Sequence, residues 1–137
     1  MNENGLSRAL GSDERVCIIG AGASGLAAAK ALGDRDLPYD QFEMGTNVGG
    51  LWRYRSDTGR SPVYKNLHLI TSKHHTAFQD FPMPEDMPTY APHHQVLRYL
   101  EEYTDAFDLR DGIVFETQVR RVTTRDGGGW TVQLEEN

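Results

Sequence analysis

The chain has 137 residues, of which 38% are hydrophobic and 25% charged, and it carries a net charge of −6. That length builds one domain with a core but not two nucleotide-binding domains, and an acidic surface argues against nucleic acid or an anionic membrane as the main partner. The single cysteine, Cys17, excludes a disulfide framework or a cysteine metal cluster and points to a reducing, cytoplasmic setting, and no run of residues is long and apolar enough to span a membrane.

In chain order, residues 1–14 are polar and acidic, lack the apolar core of a signal peptide, and are expected to form a disordered tail. Arg15–Gly20 (RVCIIG) is a short continuous apolar run, the pattern of a parallel strand buried on both faces, with Cys17 as a small core residue. Ser24–Leu32 is rich in Ala and Leu, which predicts a helix closed by Gly33. Tyr39–Met44 predicts a second strand, so residues 15–44 form one strand–helix–strand unit whose crossover makes the two strands parallel.

Residues 45–62 are loop-like, and Leu67–Ile70 is short enough for one more strand. Residues 73–92 are expected to be mostly irregular, because Pro82, Pro84 and Pro88 exclude a regular helix. Over 94–107 the apolar residues Val96, Leu97, Leu100, Tyr103 and Phe107 form a helical stripe. Strands are then expected at Ile113–Phe115 and Gln118–Thr123. A Gly127–Gly129 turn and an alternating return strand over Trp130–Leu134 complete a hairpin.

The sharpest chemical signal is Gly20-Ala21-Gly22-Ala23-Ser24-Gly25, a G-x-G-x-x-G set between a strand and a helix. In that setting Gly20 allows a tight turn, Gly22 lets backbone approach a pyrophosphate, and Gly25 lets the helix pack close to the strand. The helix N-terminus then offers free N–H groups and the positive dipole end to the phosphates. Glu43, 18 residues after Gly25 at the end of the second strand, can accept hydrogen bonds from both ribose hydroxyls of an adenosine and repels a 2′-phosphate. The first site is therefore one for FAD or NAD rather than NADP. Gly49-Gly50-Leu51-Trp52 favours FAD, since a second glycine pair followed by a large aromatic suits a ligand that extends past the pyrophosphate.

Taken together, G-A-G-x-S-G, F-E and V-G-G-L-W resemble the start of the flavin-containing monooxygenases. Ser72-Lys73, Phe78–Pro84 (FQDFPMP) and the 96–119 stretch are similar to later parts of that family, so the resemblance covers nearly the whole chain after residue 14. It implies an α/β fold: a Rossmann-like FAD-binding domain of the glutathione-reductase type. Residues 15–137 would be its N-terminal part, incomplete at the C-terminal end and carrying the added hairpin. It implies that Gly20, Ala21, Gly22, Ala23 and Ser24 hold the FAD pyrophosphate and Glu43 the ribose. Gly50, Leu51 and Trp52 would stand on the flavin side, Leu69, Ile70 and Thr71 near the isoalloxazine and nicotinamide, and Val119 beside the adenine. The activity implied is reduction of FAD by NADPH, capture of dioxygen as a C4a-hydroperoxyflavin, and transfer of one oxygen to a soft nitrogen or sulfur of a small nucleophilic substrate.

The family pattern is not followed throughout. Many members have asparagine where this chain has Ile70, which has no side-chain donor; His68 or Thr71 would have to substitute, or the intermediate leaks peroxide. No second G-x-G-x-x-G for NADPH follows. The expectation is therefore a truncated piece that is inactive alone, with a homo-oligomer or a complementing C-terminal chain as partner and an exposed sheet edge prone to aggregate. Two other functions stay open: a Baeyer–Villiger ketone monooxygenase, and a catalytically inactive truncated or split FAD-binding module. The pairs His74-His75 and His93-His94 are expected to be solvated or loop-packed rather than metal ligands, and Arg53, Arg55 and Arg60 to lie in a solvated loop. Asp80 is expected to form a turn, and Tyr99 and Tyr103 a packing face.

Overall fold

The structure, a computed structural model, describes residues 14–136; the tail expected at 1–14 falls, except for Glu14, outside the described residues. A short strand β1 (Val16–Ile19) leads through the glycine turn into helix α1 (Ala23–Gly33) and back to β2 (Tyr39–Phe42). A short 3-10 turn at Gly50–Trp52 and a one-turn helix α2 (Lys73–Thr76) follow, then the long helix α3 (His93–Ala106) and a second 3-10 turn at Arg110–Gly112. Strand β3 (Ile113–Val114) precedes the hairpin strands β4 (Thr117–Thr124) and β5 (Trp130–Glu136).

The first three strands make a parallel sheet in the order β1-β2-β3, with Val16 beside Tyr39, Ile18 beside Gln41 and Gln41 beside Ile113. The strand–helix–strand unit expected over residues 15–44 is present, with elements shifted by a residue or two. On one face of the sheet Ile18 and Ile113 join Leu26 and Ala29 of α1 and Val96, Tyr99, Leu100 and Tyr103 of α3 in one core. Each fully buried aliphatic of this kind contributes about 1.5–3 kcal/mol. Helix α3 forms because its buried residues recur at three- and four-residue intervals, leaving charged residues such as Arg98 and Glu102 on the other side.

The expectation that β1 is buried on both faces does not hold. Cys17 is exposed and Ile19 is 59% exposed, as is Val114 at 49%. Among the described residues, strand β1 stands at the sheet edge, and the helices cover the face that carries Ile18. The strand expected at Leu67–Ile70 reduces to an isolated bridge between His68 and Pro92. Its partner segment contains Pro88 and Pro92, which have no N–H to extend a ladder. Within the proline-rich stretch, Lys73–Thr76 does form a helical turn, before the first of the prolines.

Lys73 and Tyr99 tie that stretch down through backbone groups. Lys73, buried, donates from Nζ to the carbonyl oxygens of Pro84, Glu85 and Met87 at 2.8, 2.7 and 2.7 Å. The Tyr99 hydroxyl accepts the Phe78 N–H at 2.8 Å and donates to the Phe81 carbonyl at 2.6 Å. Tyr99 and Tyr103 pack against Phe78 and Phe81, the packing face expected of them. Asp80 pairs with Lys30 of α1 at 2.8 Å rather than acting only as a turn residue.

Candidate cofactor site

The turn out of β1 is made by Gly20 at φ +95°, a left-handed conformation that a side chain would strain. The chain then enters α1 at Gly22 with no side-chain cap and no acidic residue in the first turn. The helix therefore presents its first N–H groups, and the positive end of its dipole, without a competing carboxylate. Gly25 is required by packing: a Cβ there would collide with the Gly20 carbonyl oxygen and lie 3.0 Å from its carbon and 3.2 Å from Gln41 Nε2. Gln41, fully buried in β2, donates from that same nitrogen to the Gly20 carbonyl at 2.9 Å, which fixes the turn from below.

Glu43 is 8% exposed, and its two carboxylate oxygens are divided between two loops. Oε2 accepts the Ala21 N–H and Oε1 accepts the Gly45 N–H, each at 2.7 Å. Each oxygen keeps a further lone pair. The residue thus ties the glycine turn to the end of β2 and remains able to accept from a ligand.

The second glycine pair lies directly on the first motif. Gly49 donates to the Ala21 carbonyl at 2.9 Å. A Cβ on Gly50 would lie 2.9 Å from Gly22 Cα, so backbone packs on backbone across 28 residues of sequence. The 3-10 turn that follows sets Leu51, 64% exposed, and the half-buried Trp52 along the same opening.

These parts enclose a cleft of about 530 Å³, within the usual range of cofactor sites. Of the residues expected at the site, Gly20, Gly22, Ala23, Ser24, Gly25, Glu43, Gly50, Leu51, Trp52 and Val119 all line it. Ala21 is buried beneath it and contributes through its N–H and carbonyl. Leu69, Ile70 and Thr71 do not line it: Leu69 is buried against the Ala91 carbonyl, Ile70 is 94% exposed, and Thr71 shares a hydroxyl hydrogen bond with Thr76. His68 engages the Asn66 carbonyl instead.

Several lining residues were not anticipated from sequence. Thr117 and Gln118 arrive with Val119 because Thr117 donates to the Glu43 carbonyl, anchoring the hairpin base at the cleft; a bulge between Val119 and Arg121 follows. Asn47, Asp57, Thr58, Arg60 and Ser61 close the far side. The Thr46 hydroxyl and N–H beside Asp57 hold its carboxyl below the usual carboxylate range, the N–H at 2.8 Å. Nothing in their sequence pattern marks these residues beyond a polar loop. Arg53, expected in a solvated loop, is instead half-buried and lines the cleft: Nε and Nη2 donate to the Val48 carbonyl at 3.1 and 2.8 Å, and Nη2 also to Glu101 of α3 at 2.6 Å. Among the described residues no group of three or more His, Cys, Asp or Glu could hold a metal ion, and no helix is long and apolar enough to cross a membrane.

A family profile described as flavin-binding monooxygenase-like matches residues 13–137. The chain is 42% identical over 112 residues to flavin-containing monooxygenase 1 of Homo sapiens, a match covering 80% of this chain and 21% of that protein. It superposes on the S-allyl-L-cysteine S-oxygenase of Allium sativum with a TM-score of 0.80 at 30% identity, over 89% of this chain and 32% of that one. It also superposes on an oxidized steroid monooxygenase bound to NADP, with a TM-score of 0.74 at 27% identity, over 88% of this chain and 23% of that one. The chain thus spans about a fifth of the length of the curated relative it matches.

Proposed function

The chain belongs to the flavin-binding monooxygenase-like family, and from that premise we propose that residues 15–137 supply the FAD-binding part of an NADPH-dependent monooxygenase that oxygenates soft nitrogen or sulfur in small molecules. The observation that carries this reading is the seating of Gly50 on Gly22, which joins the phosphate turn, Glu43 and the Leu51–Trp52 turn around one cleft. A mononucleotide would need only the first part of that cleft; a dinucleotide uses both.

The residues present fit FAD. The uncapped N-terminus of α1 and the side-chain-free approach at Gly22 suit a pyrophosphate. The remaining lone pairs of Glu43 suit the ribose hydroxyls, and its charge, already committed to the Ala21 and Gly45 N–H groups, disfavours a 2′-phosphate there. The backbone at Val119 would border the adenine end, and Leu51 and Trp52 would lie along the flavin side. Leu69, Ile70 and Thr71 fall outside the proposed contacts. The chemistry supplied by the cofactor is activation of dioxygen after reduction by NADPH, and the protein contributes position and dryness. The resemblance to a sulfur-oxygenating enzyme at 30% identity supports nitrogen or sulfur as the target. The likeness to a cyclohexanone monooxygenase at 28% identity keeps a Baeyer–Villiger reaction on ketones as the second reading.

The test is the intact gene product. It should purify with a flavin that chromatography identifies as FAD, and it should consume NADPH faster with a thioether or tertiary amine, giving a product one oxygen heavier. Faster turnover of a cyclic ketone would select the second reading. Isolation without flavin, together with failure to take up added FAD, would refute both.

A further inference from the structure

We infer that Arg53 is a positioning residue for the flavin half of the cofactor: clamped by Glu101 of α3, it fixes the Gly49–Trp52 turn against the phosphate turn. The inference rests on the FAD reading above and adds the device that sets the two halves of the cleft relative to each other.

The turn has little of its own to hold it. It is three residues of 3-10 helix with no side-chain cap, preceded by Gly49 at φ +113°. The Ser61 hydroxyl donates to the Leu51 carbonyl at 3.0 Å, and the turn is further positioned from two sides. Toward the phosphate turn, Gly49 donates to the Ala21 carbonyl and Gly50 meets Gly22. Toward α3, Leu97 fills the place a Gly49 side chain would take, so that a Cβ there would collide with Leu97 Cδ1. One helical turn on, Glu101 receives Arg53. Leu97 and Glu101 are four residues apart and so share one face of α3.

Arg53 closes the arrangement. Its fork grips the Val48 carbonyl through two nitrogens, bridging the residue before the glycine pair to the residue after the turn, and the same Nη2 reaches Glu101. Only a guanidinium has donors at that spacing; a lysine ammonium cannot hold a two-pronged grip on one carbonyl while also meeting the carboxylate. The three hydrogen bonds commit the Nε and Nη2 donors to protein groups, so that side of the guanidinium braces the turn; Nη1 is not among these donors. The phosphates and ribose are served by the α1 N-terminus and Glu43, whereas the hydrogen bonds of Arg53 go to Val48 and Glu101.

A split in affinity follows. In the intact gene product stripped of flavin, reconstitution with FAD is measured by recovery of flavin absorbance, with ADP as a competitor of that reconstitution. Arg53→Met should weaken FAD about tenfold while the ADP inhibition constant changes less than twofold. Arg53→Lys should resemble Arg53→Met, and Glu101→Gln, which keeps an acceptor for Nη2, should lose less. Equal loss for FAD and ADP would overturn the inference, because it means direct phosphate contact or general unfolding. Unchanged FAD affinity in Arg53→Met, or full rescue by lysine, would overturn it as well. If the unaltered protein takes up neither FAD nor ADP, it is the cofactor reading itself that fails.

Discussion

Two glycines of one helix give the most direct test of the packing argument. Gly25 and Gly33 both lie in α1, and each can be changed to alanine. At Gly33 an added Cβ meets nothing within 4 Å, so the change should be neutral or stabilise by about 0.4–1 kcal/mol through the unfolded chain. At Gly25 the same methyl collides with the Gly20 carbonyl oxygen and crowds its carbon at 3.0 Å. Neither is the end of a flexible side chain, so relief requires α1 to move off β1. Overpacking of this kind costs about 1–3 kcal/mol, offset in part by the better helix propensity of alanine, roughly 1 kcal/mol. A net difference of about 2 kcal/mol between the two variants is expected, which is roughly 8 °C in melting temperature for a chain of this size. Denaturation followed by circular dichroism measures it directly. If Gly25→Ala comes within 0.5 kcal/mol (about the spread of innocuous surface changes) of Gly33→Ala, the close approach of helix and strand is not what requires glycine here.

Other expectations follow from single contacts. Glu43→Gln replaces one acceptor oxygen by an amide nitrogen, leaving the Ala21 or Gly45 N–H without a partner; a loss of about 1–3 kcal/mol is expected by urea titration, and nucleotide uptake should fall with it. Lys73→Met leaves the carbonyls of Pro84, Glu85 and Met87 without their shared donor. It should cost roughly 2–4 kcal/mol and open residues 82–88 to limited proteolysis, and an unchanged cleavage pattern would count against Lys73 as the fastener of that loop. Burial, with the nearby Asp80 carboxylate, pushes the Tyr103 hydroxyl up to about 12, against about 10 in an unfolded chain. The native state therefore keeps a proton the unfolded chain releases. The associated stability is intact below pH about 10 and is lost as the pH rises through about 12. Tyr103→Phe should flatten that alkaline slope in melting temperature measured between pH 9 and 12.

The amino-acid sequence determines the local units of this protein by itself. The run VCII, the G-x-G-x-x-G turn, the alanine-rich helix and the strand before Glu43 follow one another within 30 residues, so periodicity and glycine placement suffice to read them. The α3 stripe and the hairpin around Gly127–Gly129 are legible for the same reason. What only the tertiary structure decides is which of these surfaces meet. Among the described residues the strand order places β1 at an edge with Cys17 and Ile19 exposed, and an apolar run looks the same at the edge and at the centre of a sheet. The contact of Gly50 with Gly22 joins two motifs whose separation along the chain carries no signal of proximity. Arg53 reads as a solvated charge because its residue type usually is one, and nothing local marks Lys73 as a fastener; each is drawn inward by backbone carbonyls that only the folded loops bring together. Local chemistry writes the phosphate turn into the sequence, whereas the walls of the cleft depend on contacts made across the chain.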